Sequence, residues 1–483
     1  MVIKMLKVYN TMTKQKDEFK PFKKGEVSIY VCGVTPYNHP HIGNARPFVT
    51  WDVIKRYLRK CGYSVKHVQN FTDVDDKIIR TANSEGVKWS DISTRYIDSY
   101  FEVMDKLNVQ RADIYPKVSE HIPDIIAMIQ TLVDKGYAYP MDGDVYFSVE
   151  KFAGYGKLSG RKLDDMQAGA RVEVDDRKQN PMDFALWKAA KTGEPAWESP
   201  WGNGRPGWHI ECSTMSLKYL GETFDFHGGG SDLIFPHHEN EIAQSQACCG
   251  HDDSFARYWL HNGFITINQE KMSKSLNNFF TVKDILEKYP AEVLRFFIIE
   301  THYRSPLDFS DERLKESQTS LNRLNTAMEN VYELEKQKSG QASAVSKTLV
   351  QAALQAKKDF YEAMDDDFNT ALALSYMFAL AKEINIYYHA VTTGEIEHAT
   401  ADFVQAKAVY EDMADILGIL VVDESTIAAE DTGMVEDLMK LIIELRQQAR
   451  ASKDWATADK IRDDLKAIGV TLEDSPTGIR WKK

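Results

Sequence analysis

The chain has no long apolar segment and few cysteines. None of its 483 residues falls in a run approaching the ~20 consecutive apolar residues that a membrane helix needs. The segment Met1–Lys7 lacks the apolar stretch of a signal peptide. The five cysteines are too few and too scattered to form a disulfide framework. These absences exclude the membrane-spanning and disulfide-rich classes, and we expect a cytoplasmic protein with no membrane partner.

The commonest nucleotide and zinc signatures are missing too. The sequence contains no GxxxxGK[ST] phosphate loop and no CxxC pair. A formal charge of −13 argues mildly against a nucleic-acid partner, but residues 431–483 carry ten Lys or Arg and ten Asp or Glu, so the acidity lies earlier in the chain. With 43% hydrophobic and 27% charged residues, the composition is that of an ordinary globular protein with a full core.

The first part of the chain alternates strand-like and helix-like patterns. The predicted strands are residues 27–32 and 63–71, and the predicted helices are residues 46–60, 75–84 and 92–107. This alternation predicts a parallel sheet with crossover helices, whose ligand sites lie at the carboxyl ends of the strands. From about Ile122 the pattern loosens, which indicates an insertion. It returns with a strand-like run at His209–Cys212 and again at residues 255–267.

After Pro290 the pattern is helical, and polar stretches at residues 336–344 and 422–433 are expected linkers. The sequence therefore predicts an α/β protein with a Rossmann-type parallel-sheet domain, an insertion, an α-helical bundle and a small C-terminal domain. The expected limits are 1–121 and 206–310 for the two halves of the parallel-sheet domain, 122–205 for the insertion, 311–421 for the bundle and 422–483 for the small domain.

Two lysines lie three residues apart in the segment Lys271–Ser275, whose sequence is KMSKS. Two ammonium groups and two hydroxyls, with no carboxylate between them, can close over a polyphosphate and stabilise the charge on a departing pyrophosphate. Taken alone, the segment also fits a solvated basic loop.

A second nucleotide-type element lies upstream. His41–Asn44, with the sequence HIGN, follows the predicted strand at residues 27–32. Together the two elements resemble the HIGH and KMSKS motifs of class I aminoacyl-tRNA synthetases. The resemblance implies that ATP is bound by His41, Gly43, Asn44, Lys271 and Lys274, with His41, Asn44 and the two lysines as the catalytic residues.

His237 and Glu241 are the centre of a candidate metal site. A helix opened by Pro236 is predicted here, so these two side chains, four residues apart, share a face and can hold one ion. Cys32 and Cys212 each end a strand-like run and can reach the same sheet edge. Imidazole, carboxylate and thiolate are all zinc ligands. The spacing leaves an alternative open, in which His237 and Glu241 form a solvated pair and the cysteines pack in the core.

Longer motifs narrow the resemblance to the cysteinyl-tRNA synthetases. The similarity runs from about Leu6 to Trp481, nearly the whole chain. The motifs that carry it are Tyr30–Gly33, Phe71–Lys77, Gly207–Ser213, Gly228–Asp232 and Pro236–Glu241.

The resemblance implies one zinc ion per chain, held by the residues matching Cys32, Cys212, His237 and Glu241. It also implies that the substrate L-cysteine binds the zinc through its sulfur, surrounded by the residues matching Thr72, Trp208, His227 and Asp232. Serine differs from cysteine by one atom, and an ordinary pocket separates such near-isosteres by only ~10²-fold. Because zinc prefers thiolate to hydroxyl, the metal supplies the selectivity.

The end of the chain resembles the anticodon-reading domain of the same family. The matching recognition positions are Arg450, Trp455, Asp459 and Asp474, which offer an aromatic face for a base and polar groups for base edges. Taken alone, Trp455 also fits a core position. The implied partners are tRNA(Cys), L-cysteine and ATP. Mg²⁺ is expected from ATP chemistry rather than from a motif, and we expect a monomer.

The sequence departs from the family pattern at two places, and the second of them suggests an alternative function. The fourth position of the HIGH-like motif is Asn44, which donates a hydrogen bond but carries no charge, and we expect activity to survive this change. The segment Val34–Tyr37 resembles a related ligase that joins cysteine to an amino sugar in mycothiol synthesis. A non-catalytic zinc- or RNA-binding protein is a further hypothesis, but it leaves both phosphate motifs unexplained.

Overall fold

The computed structural model describes residues 5–162, 178–251, 254–267, 270–271, 280–420, 424–467, 470–475 and 478–482. The chain divides into two compact units, residues 1–420 and residues 421–483. Within the described ranges, no helix is long and apolar enough to cross a membrane.

The first unit begins with a hairpin and continues with alternating strands and helices. These elements are β1 (Lys7–Asn10), β2 (Gln15–Glu18), β3 (Glu26–Val34), α1 (Ile42–Lys60), β4 (Ser64–Phe71), α2 (Asp76–Glu85) and α3 (Trp89–Lys106). The insertion follows as α4 (Ile122–Asp134) and an antiparallel sheet of β5 (Ala138–Met141), β6 (Asp144–Phe147), β7 (Phe184–Ala189) and β8 (Gly204–Pro206).

The alternation then resumes and completes the central sheet. The elements are α5 (Trp208–Leu220), β9 (Thr223–Gly230), α6 (Glu239–Cys249), β10 (Phe255–Asn262), β11 (Ile265–Ile267), β12 (Glu270–Lys271), α7 (Val282–Leu286), α8 (Ala291–Ile299) and β13 (Leu307–Phe309). The central sheet has the strand order β10-β9-β3-β4, and every neighbouring pair is parallel. The predicted α/β class is therefore confirmed.

Long helices complete the first unit. They are α9 (Asp311–Glu335), α10 (Ala344–Asp365), α11 (Thr370–Thr392) and α12 (Thr400–Leu417). The second unit consists of α13 (Glu424–Ala451), α14 (Trp455–Ala467) and an antiparallel hairpin of β14 (Thr471–Ser475) and β15 (Gly478–Lys482).

Strand β3 shows how the central sheet is covered on both faces. Val27, Ile29 and Val31 belong to the core that α1 and the long helices share, while Tyr30 and Cys32 belong to the core formed with α5 and α6. Successive side chains of a strand point to opposite faces, so both sets come from one continuous apolar run. The central sheet is thus buried between two layers. A ligand site can therefore form at the ends of its strands.

Two local predictions from the sequence are wrong. Residues 209–212, predicted as a strand, lie in helix α5, because a four-residue run is too short to separate a period of two from a period of 3.6. Most of the linker expected at residues 422–433 is helix α13. That segment has no proline and carries strong helix formers such as Ala428 and Ala429, and polar composition alone does not distinguish a linker from a helix.

Candidate active site and metal centre

The carboxyl end of strand β3 is irregular at its cysteine. The register of β3 against β4 shifts between Val31 and Val34. Gly33 lies so close to the backbone of Asn70 that an added Cβ would overlap the Asn70 carbonyl, and the Gly33 N–H donates to Asn70 Oδ1 at 2.9 Å. Strand irregularities of this kind occur next to active sites, where they re-aim a side chain. Cys32 lies within this irregular segment.

The residues predicted as metal ligands come together beside this strand end. Each of Cys32, Cys212, His237 and Glu241 is buried, and one ligand atom from each lies within 4.8 Å of the others. The two Sγ atoms are 3.8 Å apart, and His237 Nε2 is 3.0 Å from Glu241 Oε1. Zn–S bonds of about 2.3 Å in a tetrahedral site place two sulfurs roughly 3.8 Å apart. The donor set and its spacing therefore fit a zinc ion.

A second histidine contacts the imidazole of the candidate ligand His237. His209 Nδ1 and His237 Nδ1 are 2.9 Å apart and share a hydrogen bond, which leaves His237 Nε2 directed at Glu241. The other nitrogen of a metal-binding imidazole is usually held in this way. His209 belongs to the motif Gly207–Ser213, but the sequence alone did not assign it this role.

The pKa values divide the cluster into charged and neutral groups. The hydrogen bonds to Cys32 and His237 outweigh burial and lower the pKa of Cys212 to about 6. The charges of His227 and His237 outweigh burial and lower the pKa of Glu241 to about 2. Despite burial, Glu241 and Cys212 raise the pKa of His237 to about 10. Burial raises the pKa of Cys32, as does its hydrogen bond to Cys212. The lowered pKa values of Cys212 and Glu241 favour the anionic forms that bind a divalent cation, and such a cation would displace the proton of His237, because a metal-bound imidazole is neutral.

A second group of metal-ligand side chains overlaps the first. It contains Cys32, His227, His238 and Glu241. His238 Nε2 is 3.4 Å from Cys32 Sγ, and burial together with neighbouring imidazoles lowers the pKa of His238. The sequence had assigned no role to His238, although it is adjacent to His237, because its approach to Cys32 depends on tertiary packing.

The four residues predicted to surround the cysteine substrate fall into two pairs. Trp208 and Asp232 line a cavity of about 390 Å³ that Cys32 also lines. Thr72 and His227 are buried and do not line this cavity. Thr72 Oγ1 donates a hydrogen bond to Glu211 Oε2 at 2.9 Å. His227 Nε2 is 2.8 Å from Glu241 Oε2, so it contacts the candidate metal ligand directly.

The HIGH-like element lies on the wall of the same cavity. His41 is the N-cap of helix α1, and its backbone N–H donates to Asn44 Oδ1 at 3.2 Å. His41, Gly43 and Asn44 all line the cavity. The N-terminus of a helix presents unsatisfied N–H groups and a partial positive charge, which favour a phosphate. One cavity is thus lined both by Cys32 of the candidate metal cluster and by a candidate phosphate-binding element.

The second phosphate motif is only partly within the described residues. Lys271 ends strand β12, and Lys274 lies outside them. The chain beyond the motif returns to the HIGH-like element, because Thr281 bridges to His41 and the Val282 N–H donates to the Pro40 carbonyl at 2.8 Å. Thr281 and Val282, which follow the second motif in the chain, therefore lie beside the first motif.

The predicted anticodon residues all belong to the second unit. Trp455 begins helix α14 and is 57% exposed, which contradicts a core position for its ring. Asp459 is exposed one turn later and forms an ion pair with Arg462 at 3.0 Å. Arg450 lies near the end of α13 and Asp474 in strand β14.

The fold and the cavity together define a class I aminoacyl-tRNA synthetase. Residues 18–319 match the model of the tRNA synthetases class I (C) catalytic domain, and residues 359–421 match the DALR domain. A solved methionyl-tRNA synthetase of Mycobacterium tuberculosis in complex with methionyl-adenylate shares the fold, with a TM-score of 0.60, 16% identity and coverage of 81% of this chain and 89% of that chain.

Closer relatives identify the family within this class. The cysteine–tRNA ligase of Desulforamulus reducens is 56% identical over 486 residues, which cover 99% of this chain and 100% of the relative. That of Thermococcus onnurineus is 49% identical and covers 99% of both chains. Residues 441–481 match the cysteinyl-tRNA ligase anticodon binding domain. The chain belongs to the cysteine–tRNA ligase family.

Proposed function

We propose that this protein activates L-cysteine with ATP and transfers it to tRNA(Cys). The observation that carries the proposal is one cavity lined both by Cys32, a member of the buried group that also contains Cys212, His237 and Glu241, and by the N-terminus of helix α1. An amino acid held beside this group and ATP at the helix N-terminus would place carboxylate and α-phosphate next to each other.

The chemistry requires positioning and charge stabilisation. The carboxylate oxygen of cysteine attacks the α-phosphate, the bond to the β-phosphate oxygen breaks, and pyrophosphate leaves. The terminal ribose hydroxyl of the tRNA then takes the acyl group and AMP leaves. Neither step needs a protein base in this proposal. His41, Asn44, Lys271 and Lys274 would bind the phosphates and stabilise the developing charge, and positioning of two reactants can contribute up to ~7–11 kcal/mol. Mg²⁺ is expected to enter with ATP.

We assign the selection of cysteine to a zinc site. Cys32, Cys212, His237 and Glu241 would hold the ion, which when bound supplies a soft Lewis acid that prefers a thiolate sulfur to a hydroxyl oxygen. His209 would fix the orientation of His237, and His227 that of Glu241. Trp208, stacked on the His237 ring at 4.2 Å, and Asp232 would form the wall around the substrate, with Thr72 behind it.

We assign recognition of the tRNA anticodon to the second unit. Trp455, Arg450, Asp459 and Asp474 would contact the bases, and the exposed ring of Trp455 offers a stacking face. We propose five segments: residues 1–121 and 206–310 form the two halves of the catalytic domain, residues 122–205 the insertion and residues 311–421 the helical bundle. Residues 422–483 form the anticodon-binding domain. We expect the protein to act as a monomer in the cytoplasm.

Aminoacylation assays with two acceptors test this proposal. The purified protein is incubated with ATP and L-cysteine, together with either tRNA(Cys) or an amino-sugar acceptor. Cysteine should be transferred to tRNA only. Consumption of the amino sugar without tRNA charging would instead support the related ligase suggested by Val34–Tyr37.

A further inference from the structure

Arg46 is a buried cation whose partners are backbone carbonyls. It lies in the second turn of helix α1, and none of its surface is exposed. Burial lowers the pKa of Arg46 to about 10, so the guanidinium stays charged at neutral pH. Its hydrogen bonds reach the carbonyl oxygens of Gly263 at 2.8 Å, Phe264 at 2.9 Å, His302 at 3.4 Å and Ser305 at 2.5 Å.

These carbonyls belong to two segments that meet beside the nucleotide end of the cavity. Gly263 and Phe264 follow strand β10 and line the cavity, as do His41, Gly43 and Asn44 at the start of α1. The next strand, β11, pairs with two strands. One is β12, which ends at Lys271, and the other is β13, which follows Ser305 in the chain. Arg46 thus connects the helix of the first phosphate motif to the hairpin that leads into the second.

We propose that Arg46 is a positioning residue for ATP, which sets the separation between the N-terminus of α1 and the wall formed by residues 262–265. This inference rests on the proposed function. A planar guanidinium carries five N–H donors in a fixed fork and can reach four carbonyls at once, whereas a lysine ammonium has three donors on a flexible stem. Without the guanidinium, the Ser305 carbonyl would lose its donor, and a buried unpaired polar group is costly. The carbonyls of Gly263, Phe264 and His302 accept other hydrogen bonds from within the two segments, but both segments would lose their bonds to α1.

The elements that carry the proposed cysteine-binding groups receive no hydrogen bond from Arg46. Cys32 is carried by β3, Trp208 by α5, and Asp232 by the segment after β9, and Arg46 donates to none of these elements. Loss of the guanidinium should therefore change ATP binding and leave cysteine and zinc binding intact.

Arg295 provides a matched control. It is also fully buried, and its guanidinium donates to the carbonyls of Leu107, Asn108 and Leu417 and to the carboxylate of Asp52. None of these four residues lines the cavity. The substitution Arg295→Lys removes buried hydrogen bonds from residues that do not line the cavity.

The test compares the full-length wild type, Arg46→Lys and Arg295→Lys. The KM values for ATP and for cysteine are measured by cysteine-dependent pyrophosphate exchange, the Kd for ATP by calorimetry, and zinc content and Tm alongside. Both variants should lower Tm. Only Arg46→Lys should raise the KM and Kd for ATP, by about tenfold or more, since small misplacements in a site have effects of that size. Its cysteine KM and zinc content should match the wild type.

Gly263→Ala is a second variant that alters the cavity wall formed by residues 262–265. An added Cβ at Gly263 would overlap the Ser305 carbonyl and force the two segments apart while Arg46 remains. If Arg46→Lys does not fold, this variant should still raise the KM for ATP. The inference is overturned if the ATP constants are unchanged in the folded variants, if ATP and cysteine constants rise equally, or if Arg295→Lys gives the same ATP effect. A wild type without cysteine-dependent exchange would instead refute the proposed function.

Discussion

The Sγ atoms of Cys32 and Cys212 lie 3.8 Å apart, although 180 residues separate them in the chain. This distance is far longer than a disulfide bond of about 2.05 Å, and both cysteines are free. One stands at an irregular strand end and the other in the first half of helix α5. The parallel sheet brings them together, and His237 and Glu241 complete a buried set of donors around them.

Zinc content tests this cluster. The purified protein should carry about one zinc per chain, as expected from one closed set of four donors. Cys212→Ser should lose most of this metal, because a hydroxyl is a poor substitute for a thiolate ligand. The control is Cys248→Ser, since Cys248 is half-buried and lies outside the cluster. Equal zinc content in the wild type and Cys212→Ser would contradict the assignment.

The same variant should separate the two substrates. Cys212→Ser should weaken cysteine binding far more than ATP binding, because Cys212 lies in helix α5, whereas His41, Gly43 and Asn44, which are proposed to hold ATP, line the cavity from the start of α1. Equilibrium binding of each substrate to the wild type and the variant measures this difference. A parallel loss of both affinities would indicate general damage to the fold rather than loss of a thiol site.

Lys274→Ala should slow adenylate formation and leave cysteine affinity nearly unchanged. Its ammonium is proposed to stabilise charge that develops mainly in the transition state, and losses of that kind appear in kcat. Single-turnover adenylation measures the effect. Lys283→Ala, an exposed lysine in helix α7, is the control. An unchanged adenylation rate for Lys274→Ala would remove the residue from the proposed mechanism.

Asp52 should make the stability of the first unit sensitive to acid. Burial disfavours its charge, but the positive charges of Arg295, at 2.6 Å, and Arg56, at 2.8 Å, outweigh burial and lower the pKa of Asp52. A carboxyl whose folded-state pKa is lowered stabilises the fold above its unfolded value of about 4 and loses this contribution as the pH falls further. Asp52→Asn should lower the free energy of unfolding by about 3–5 kcal/mol at neutral pH, since it leaves buried guanidinium groups unpaired.

Denaturant unfolding of the wild type and Asp52→Asn at several pH values measures this contribution. The difference between them should shrink as the pH falls below about 4. Zinc content should be equal in both, because Asp52 is not part of the metal cluster. A difference that stays constant down to pH 2 would show that the lowered pKa does not contribute.

Trp455→Ala should impair tRNA charging and spare cysteine activation. Stacking of a base on an aromatic ring is worth ~1–3 kcal/mol, so the KM for tRNA should rise about tenfold. Charging and pyrophosphate exchange are compared in the variant and in Leu445→Ala, another exposed apolar residue of the second unit. If both variants charge tRNA like the wild type, Trp455 has no part in recognition.

Much of the fold follows from local patterns. The run at residues 27–32 and the helical period after it predict β3 and α1, because burial of the sheet on both faces requires a continuous apolar strand followed by a crossover helix. His237 and Glu241 were recognisable as a pair because four residues make one helical turn. The two cysteines were expected at the same sheet edge because each ends a strand-like run, although the run that ends at Cys212 lies in a helix. The resemblance to the synthetases then implied all four residues as one ligand set.

What the sequence did not predict depends on tertiary packing. His238 approaches Cys32 only because the segment before α6 packs against the end of β3. His209 was assigned to a strand, and its contact with His237 requires the helix that the structure has there. Burial of His227 behind Glu241, rather than on the cavity wall, likewise follows from the packing of β9 and α6.

Exchange of labelled pyrophosphate into ATP, with cysteine or serine at matched concentrations, tests the central claim most directly. The zinc-loaded wild type should exchange with cysteine, and serine should be less effective by well over the ~10²-fold that an ordinary pocket achieves between near-isosteres. Exchange that cysteine does not stimulate, or that serine supports equally well, would contradict the account.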